Sequence, residues 1–261
     1  MTITRKGTWA LVTGASSGMG ADFARLLADR GYNLVVTARR GDELDRLKAE
    51  IGKRAAGVEV MTIAGNLADK GFRDRLIDAT ASLDVETLVN NAGVGLYGTF
   101  DGTDPAREEA MLDLDVKALV HLTRAFSARM RARGKGYILE TASIAAFQPC
   151  PLYATYGAAK AFVLSYGIAS RVELAGSGVS VTVLCPGVTE TAFFDAADQE
   201  KLSAFQRMSM MKSARVSRGA LRALFARRAV YTPGFLNRAN AFMTRFFPRT
   251  LAARLAGSLM R

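Results

Sequence analysis

The 261-residue sequence has two cysteines, Cys150 and Cys185, and a single histidine, His121. Two cysteines make no disulfide framework, and neither stands in metal-ligand spacing with another ligand, so no resident metal is expected. His121, among apolar neighbours of a long helix, reads as structural. Long apolar runs are missing as well. The longest uncharged stretch, Thr141 to Ala159, is interrupted by Pro149 and Pro151, whereas a spanning helix needs about 20 mostly apolar residues. The opening MTITRKGTWALVTG carries no apolar segment before a small-residue cleavage site. These absences fit a reduced, cytoplasmic protein. Acid is missing from one whole region: residues 201–261 hold 13 basic and no acidic side chains, whereas residues 1–200 hold 22 basic and 24 acidic. The net charge of +11 therefore belongs to the last quarter. No recognised nucleic-acid module accompanies it, so nucleic acid is not an expected partner.

What is present is a regular alternation. TWALVTG (8–14), NLVVTAR (33–39), VEVMTI (58–63), TLVNNAG (87–93), GYILETAS (136–143) and VSVTVLCPG (179–187) read as short buried strands. Helical segments separate them at 18–31, 42–53, 69–82, 105–133 and 155–175. Strands alternating with helices imply right-handed parallel crossovers, hence an α/β fold: a Rossmann-like, doubly wound parallel sheet with helices on both faces. With no internal repeat or linker, residues 1–234 form a single domain and 235–261 a C-terminal extension.

The first strand runs into Thr13-Gly14-Ala15-Ser16-Ser17-Gly18-Met19-Gly20 and then a helix. Glycines there permit a tight turn and close approach of a pyrophosphate, to which the helix offers free N–H groups and a positive dipole end. The end of the second strand selects the dinucleotide. A carboxylate there suits a ribose 2′-hydroxyl and an arginine a 2′-phosphate. Thr37-Ala38-Arg39-Arg40 has no acid before Asp42, which favours NADP(H) with Arg39 on the phosphate.

Of the two tyrosines in Tyr153-Ala-Thr-Tyr156-Gly-Ala-Ala-Lys160, only Tyr156 has a lysine four residues on, placing phenol and ammonium on one helical face. A phenol titrates near ~10 and needs a neighbouring cation to act as a base near neutrality. Ser143, thirteen residues earlier, ends a strand at the carboxyl edge where open α/β sheets place their sites. With TGASSGMG (13–20), NNAG (90–93), Ser143, YGAAK (156–160) and PGVTET (186–191) in this order, the sequence resembles the short-chain dehydrogenase/reductase family over about three-quarters of its length.

The resemblance implies hydride transfer between nicotinamide and a carbonyl or alcohol carbon. Tyr156 would exchange the oxygen's proton, Ser143 would orient that oxygen, and Lys160 would hold the ribose hydroxyls and lower the tyrosine pKa. Cofactor contacts are implied from Gly14, Ser16, Ser17, Gly18, Met19, Gly20, Arg39, Asn66, Leu67, Asn91, Ala92, Gly93, Tyr156, Lys160, Pro186, Gly187, Val188 and Thr191, with Asn90 supporting the central strand. Two positions depart from the family pattern. Asp115 stands where an Asn usually places a water in a proton relay to the lysine; it accepts a hydrogen bond but offers no amide N–H, which implies an altered relay. Asn66 stands where an Asp usually meets adenine, and can make a similar acceptor contact. Cys150, with no activating base beside it, reads as a small loop residue.

Residues 188–212 carry Phe193, Phe194, Phe205, Met208, Met210 and Met211. In the resembling family this segment is a lid, and such side chains suit a bulky apolar carbonyl or alcohol, or simply pack the lid. Past Pro233-Gly234, Phe235, Leu236, Ala239, Phe242, Met243, Phe246 and Phe247, then Leu251, Ala252, Leu255, Ala256, Leu259 and Met260, recur at helical spacing with arginines opposite. Such helices pack on the domain, cover the substrate site or lie peripherally on an anionic membrane. The family commonly forms homodimers or homotetramers through its fourth and fifth helices, here 105–133 and 155–175. The expectation is an NADP(H)-dependent oxidoreductase with a lipophilic small-molecule substrate. The rival is a noncatalytic NADPH-binding protein serving regulation or interaction.

Overall fold

The computed structural model describes residues 7–191, 193, 197, 199 and 203–260. Strands β1 (Trp9–Thr13), β2 (Asn33–Ala38), β3 (Val60–Ala64), β4 (Val85–Asn90), β5 (Gly136–Thr141), β6 (Val179–Leu184) and β9 (Val230–Tyr231) form one sheet in the order β3-β2-β1-β4-β5-β6-β9. Every pairing is parallel. In β1, β2, β4 and β6 every residue is buried. That explains why they read as continuous runs rather than apolar–polar alternation: both faces are covered. On one face, Phe23 and Leu27 of α1 (Gly18–Ala28) and Leu44 of α2 (Gly41–Arg54) join Leu221 and Leu224 of the late helix Ser213–Phe225. On the other, Leu76 of α3 (Lys70–Ala79) packs with Phe126 and Met130 of α5 (Leu119–Ala132), and Val163 of α6 (Ala154–Glu173) with Val183. The doubly wound architecture expected from the alternation is the one observed. Strand order reverses between β1 and β4, and the crevice at their carboxyl ends is where such sheets take ligands.

The segment expected as one helix over 105–133 is interrupted. It runs as α4 (Pro105–Leu112), a π-turn over Asp113–Ala118, and α5. One extra residue per turn rotates Asp115 inward, where it is buried. Such π-turns concentrate at functional sites.

A buried acid in the central sheet carries a stability consequence. Glu140 on β5 is fully buried, accepting from Thr123 Oγ1 at 2.6 Å and Asn90 Nδ2 at 3.3 Å. Burial lifts its pKa from 4.5 to about 7 against those hydrogen bonds. The folded state thus holds a proton that the unfolded chain releases in the ordinary carboxylate range, so stability falls as pH rises from about 4.5 through about 7. At ~1.4 kcal/mol per pKa unit the cost above that window is on the order of 3 kcal/mol. Glu140→Gln should therefore melt several degrees higher than wild type at alkaline pH, the difference closing as pH falls to the carboxylate range. Equal melting temperatures across the titration would refute it.

The segment 188–212 is clipped at its two ends. β7 (Thr189–Glu190) pairs in parallel with β8 (Met211–Lys212), and Met211 N donates to Val188 O at 3.0 Å. Between them a short helix (Ala204–Ser209) begins with a capping box of Ser203 and Gln206. Gln206 exchanges hydrogen bonds with Gln199, whose Oε1 accepts from Tyr153 Oη at 2.7 Å. The extension forms two helices, Phe235–Met243 and Arg249–Met260. They meet the domain through Asn237, Ala241, Ala252 and Ala256, while their larger apolar side chains are exposed.

Candidate active site

The glycine turn has a physical reason at each position. Gly14 and Gly18 have φ of +67° and +52°, and a Cβ on Gly18 would stand 2.7 Å from Thr191 Cγ2. A Cβ on Gly20 would stand 2.1 Å from the carbonyl oxygen of Gly14, so this glycine closes the turn against the helix and does not line the cavity. Helix α1 starts after Ser17 with no side-chain cap on its first turn, leaving its N–H groups available to an anion.

A cavity of about 450 Å³ opens at the β1/β4 crevice. Gly14, Ser16, Ser17, Gly18, Met19, Arg39, Asn66, Leu67, Asn91, Ala92, Gly93, Tyr156, Lys160, Pro186 and Thr191 line it, uniting most of the residues expected from the sequence. Gly187 and Val188 are not among the lining residues. A Cβ on Gly187 would meet the Asn237 amide at 2.4 Å, and Val188 is engaged by Met211. Asn90 donates to Thr123, whereas Asn91 bridges the ends of β4 and β1, its N and Nδ2 donating to Thr13 Oγ1 and O. Asn66 Oδ1 accepts from Ala68 N, and the nearby Asp69 caps α3. One lining residue not singled out from sequence is Arg40, whose Nη2 donates to Ser16 Oγ at 3.1 Å. Its adjacency to Arg39 was the signal. The glycine cradle and the uncapped helix fit a dinucleotide, with Arg39 and Arg40 also lining the cavity.

Tyr156 and Lys160 line the cavity, Ser143 and Asp115 stand behind them rather than in its lining, and all four are buried. Ser143 caps the 3-10 turn Ile144–Phe147, its Oγ accepting from Ala145 N at 3.1 Å. That fixes its rotamer while its hydroxyl also engages Tyr156. Tyr156 lies in an aromatic cluster with Tyr153 at 5.6 Å and Phe193 at 5.4 Å between ring centroids. Lys160 Nζ lies 5.6 Å from the Tyr156 ring centroid, donates to Thr141 O at 3.1 Å and forms an ion pair of 2.9 Å with Asp115 Oδ2. Asp115 Oδ1 accepts from Val94 N at 3.0 Å. Gly93 abuts this pair: a Cβ there would stand 3.1 Å from both Lys160 Nζ and Asp115 Oδ2. The position expected to alter a water relay thus binds the lysine directly.

The electrostatics follow from this packing. Burial raises the Tyr156 phenol above its ordinary value; the Ser143 hydrogen bond opposes this and the Asp115 charge adds to it. The resemblance implied a phenol lowered by Lys160; here the ammonium is paired with the Asp115 carboxylate. Burial likewise raises Asp115, and Lys160 opposes it. Tyr153, the rival tyrosine, is committed to Gln199. Cys150 is buried, and burial pushes its thiol up to about 11, consistent with an unreactive loop residue. His121 meets Asp74 and Arg73 on the outer face of α5. A larger, shallow depression there, lined by Lys70, Arg73, Lys117 and Arg124, is remote from the tyrosine and open to solvent. No group of three or more metal-ligating side chains exists among the described residues.

Of the apolar lid residues, Phe193 reaches the cavity, Met208 faces outward and Met211 packs on the core. Phe194 and the side chain of Phe205 lie outside the described residues, as do those of Leu259 and Met260.

A family model described as short chain dehydrogenase matches residues 8–202. The chain is 34% identical over 192 residues to a very-long-chain 3-oxoacyl-CoA reductase of Podospora anserina, covering 72% of this chain and 56% of that protein. It is 38% identical to sulfoacetaldehyde reductase 2 of Chromohalobacter salexigens, covering 70% of this chain and 73% of that protein. A solved short-chain dehydrogenase from Sphingobium yanoikuyae in complex with NADPH superposes with a TM-score of 0.83 at 29% identity, covering 92% of this chain and 93% of that one. The chain therefore spans only a little over half of the fungal reductase, 56% of its length.

Proposed function

The chain belongs to the short-chain dehydrogenase/reductase family, and on that premise we propose that it is an NADP(H)-dependent oxidoreductase acting on the carbonyl/alcohol carbon of a lipophilic substrate. The observation that carries this reading is that Tyr156 and Lys160 line one glycine-lined cavity, with the Ser143 hydroxyl on Tyr156. A bound nicotinamide would supply or accept the hydride. Tyr156 donates its phenol proton to the substrate oxygen during reduction and takes it back during oxidation. Ser143 would hydrogen-bond that oxygen, and Lys160, held by Asp115 and Thr141 O, would hold the ribose hydroxyls of the bound cofactor. A phenol raised by burial is present in the protonated form that reduction uses.

Arg39 and Arg40, lining the cavity where a carboxylate would select NAD, support NADP(H). Leu96, Met111, Tyr153 and Ala197 cluster around Tyr156, and with Phe193 they support an apolar substrate. Exposed Phe162, Ile168 and Val172 on α6 support a homodimer or homotetramer built on that helix. The reading is tested by following NADPH consumption with a panel of aliphatic, aromatic and steroid ketones and aldehydes. Turnover with apolar members is expected; tight NADPH binding without turnover of any member would favour the noncatalytic alternative. Removing both guanidinium groups (Arg39→Ala with Arg40→Ala) should raise the KM for NADPH ~10–100-fold while leaving that for NADH nearly unchanged, since hydrogen bonds to charged groups contribute about 1.5–3 kcal/mol. An unchanged NADPH preference would remove the arginines from the 2′-phosphate.

A further inference from the structure

The two C-terminal helices are apolar on the side turned away from the domain. The first, Phe235–Met243, packs inward through Asn237 and Ala241, and the second, Arg249–Met260, through Ala252 and Ala256. Phe235, Phe242 and Phe246 are 75%, 55% and 64% exposed. Phe235 and Phe242, seven residues apart, share one side of their helix, and Phe246 meets Phe242 edge-on with ring centroids 5.2 Å apart. Leu236, Met243 and Phe247 widen the exposed apolar surface. Domain packing therefore accounts for the small residues of these helices and leaves the aromatic ones outside. A contiguous apolar patch on a protein surface marks a contact.

Charge identifies the occupant. Arg238, Arg245, Arg249 and Arg254 are exposed on the same segment, and no acidic residue occurs after Glu200. A second copy docking symmetrically on this face would set these arginines against their own equivalents with no carboxylate of the segment to pair them. An anionic lipid surface complements both features, taking the aromatic rings into its headgroup–acyl boundary and the guanidinium groups among its phosphates. No described helix is long and apolar enough to cross a membrane. We propose that the C-terminal helix pair is a peripheral docking surface for an anionic bilayer, with Phe235, Phe242 and Phe246 inserting and the flanking arginines binding headgroups. Asn237 lies against Gly187, next in sequence to the cavity-lining Pro186, and Gly257 against Pro151 of the loop following Ser143. A bilayer bound there adjoins the site without using any residue of the redox reading, so the two stand or fall separately.

Flotation of the full chain with vesicles tests it. The wild type should float with phosphatidylcholine/phosphatidylserine vesicles and about tenfold less with phosphatidylcholine alone, and high salt should release it. Phe235→Ser, Phe242→Ser and Phe246→Ser combined should lose about tenfold in bound fraction while keeping the wild-type melting temperature and NADPH affinity. Three results overturn the proposal: a wild type that stays at the bottom of the gradient with anionic vesicles, a triple variant that floats as well as wild type, or equal binding to both vesicle types. If sedimentation velocity shows an oligomer that only the triple variant fails to form, and neither protein floats, the face is a contact between copies instead.

Discussion

Tyr156→Phe is expected to lower kcat for carbonyl reduction by about 10³-fold or more, within the range that positioned proton donors contribute. The melting temperature and NADPH affinity should stay at wild-type values. Phenylalanine keeps the ring that packs on Tyr153 and Phe193, so the loss isolates the hydroxyl. The pH dependence has a definite sign. The proposed donor is the neutral phenol, and burial together with the Asp115 charge raises its pKa. Reduction should therefore hold a plateau through neutral into alkaline pH, whereas the reverse oxidation, which needs the phenolate, should rise with pH across that range. Ser143→Ala removes a hydrogen bond that lowers the phenol pKa, which should move both limbs further toward alkali. A variant lacking the Tyr156 hydroxyl that turns over like wild type would place the proton donor elsewhere.

The second large effect concerns the buried ion pair. Lys160→Met is expected to cost about 3–5 kcal/mol of stability, the usual consequence of leaving one member of a buried pair unpartnered. At ~2–4 °C per kcal/mol for a domain of this size, that is a fall of about 10 °C in Tm. Asp115 would retain only its hydrogen bond from Val94 N and would take up a proton. Adding Asp115→Asn to Lys160→Met should restore much of the stability and none of the activity, which separates the structural role of the pair from the role of the ammonium at the ribose. Asp115→Asn alone leaves Lys160 buried with the Thr141 carbonyl oxygen and should shift the pH–rate profile. A double-mutant cycle in which the two substitutions are additive in stability would show that the 2.9 Å contact carries no coupling.

The architecture was legible because a sheet covered on both faces writes itself as β-branched runs, and its covering helices as three- and four-residue periodicity. The Ser143, Tyr156 and Lys160 constellation was legible for a similar reason: four residues make one helical turn, and Ser143 follows a strand at the carboxyl edge. What sequence could not show depends on contacts between distant segments. Within 105–133 a single π-turn leaves the apolar spacing nearly unchanged, so the rotation of Asp115 onto Lys160 was invisible, and a water relay was the natural reading. Glu140 reads as the polar end of a strand; only the central position of β5 makes it buried. Gly187 sits in a motif with the cavity-lining Pro186 and Thr191, yet it is the approach of Asn237, fifty residues on, that uses its missing side chain. In the tail, periodicity gave two amphipathic helices. It could not reveal that alanines, rather than phenylalanines, form the inward face.

The central claim is hydride transfer to a carbonyl carbon with Tyr156 supplying the proton. It is tested most directly by incubating the protein with NADPH deuterated at the transferable C4 position and an apolar ketone, then weighing the product by mass spectrometry. One deuterium on the carbinol carbon is predicted with the wild-type protein, and no labelled product above background with Tyr156→Phe. Tight binding of the labelled NADPH with no deuterated alcohol from any ketone or aldehyde of the panel would contradict the account.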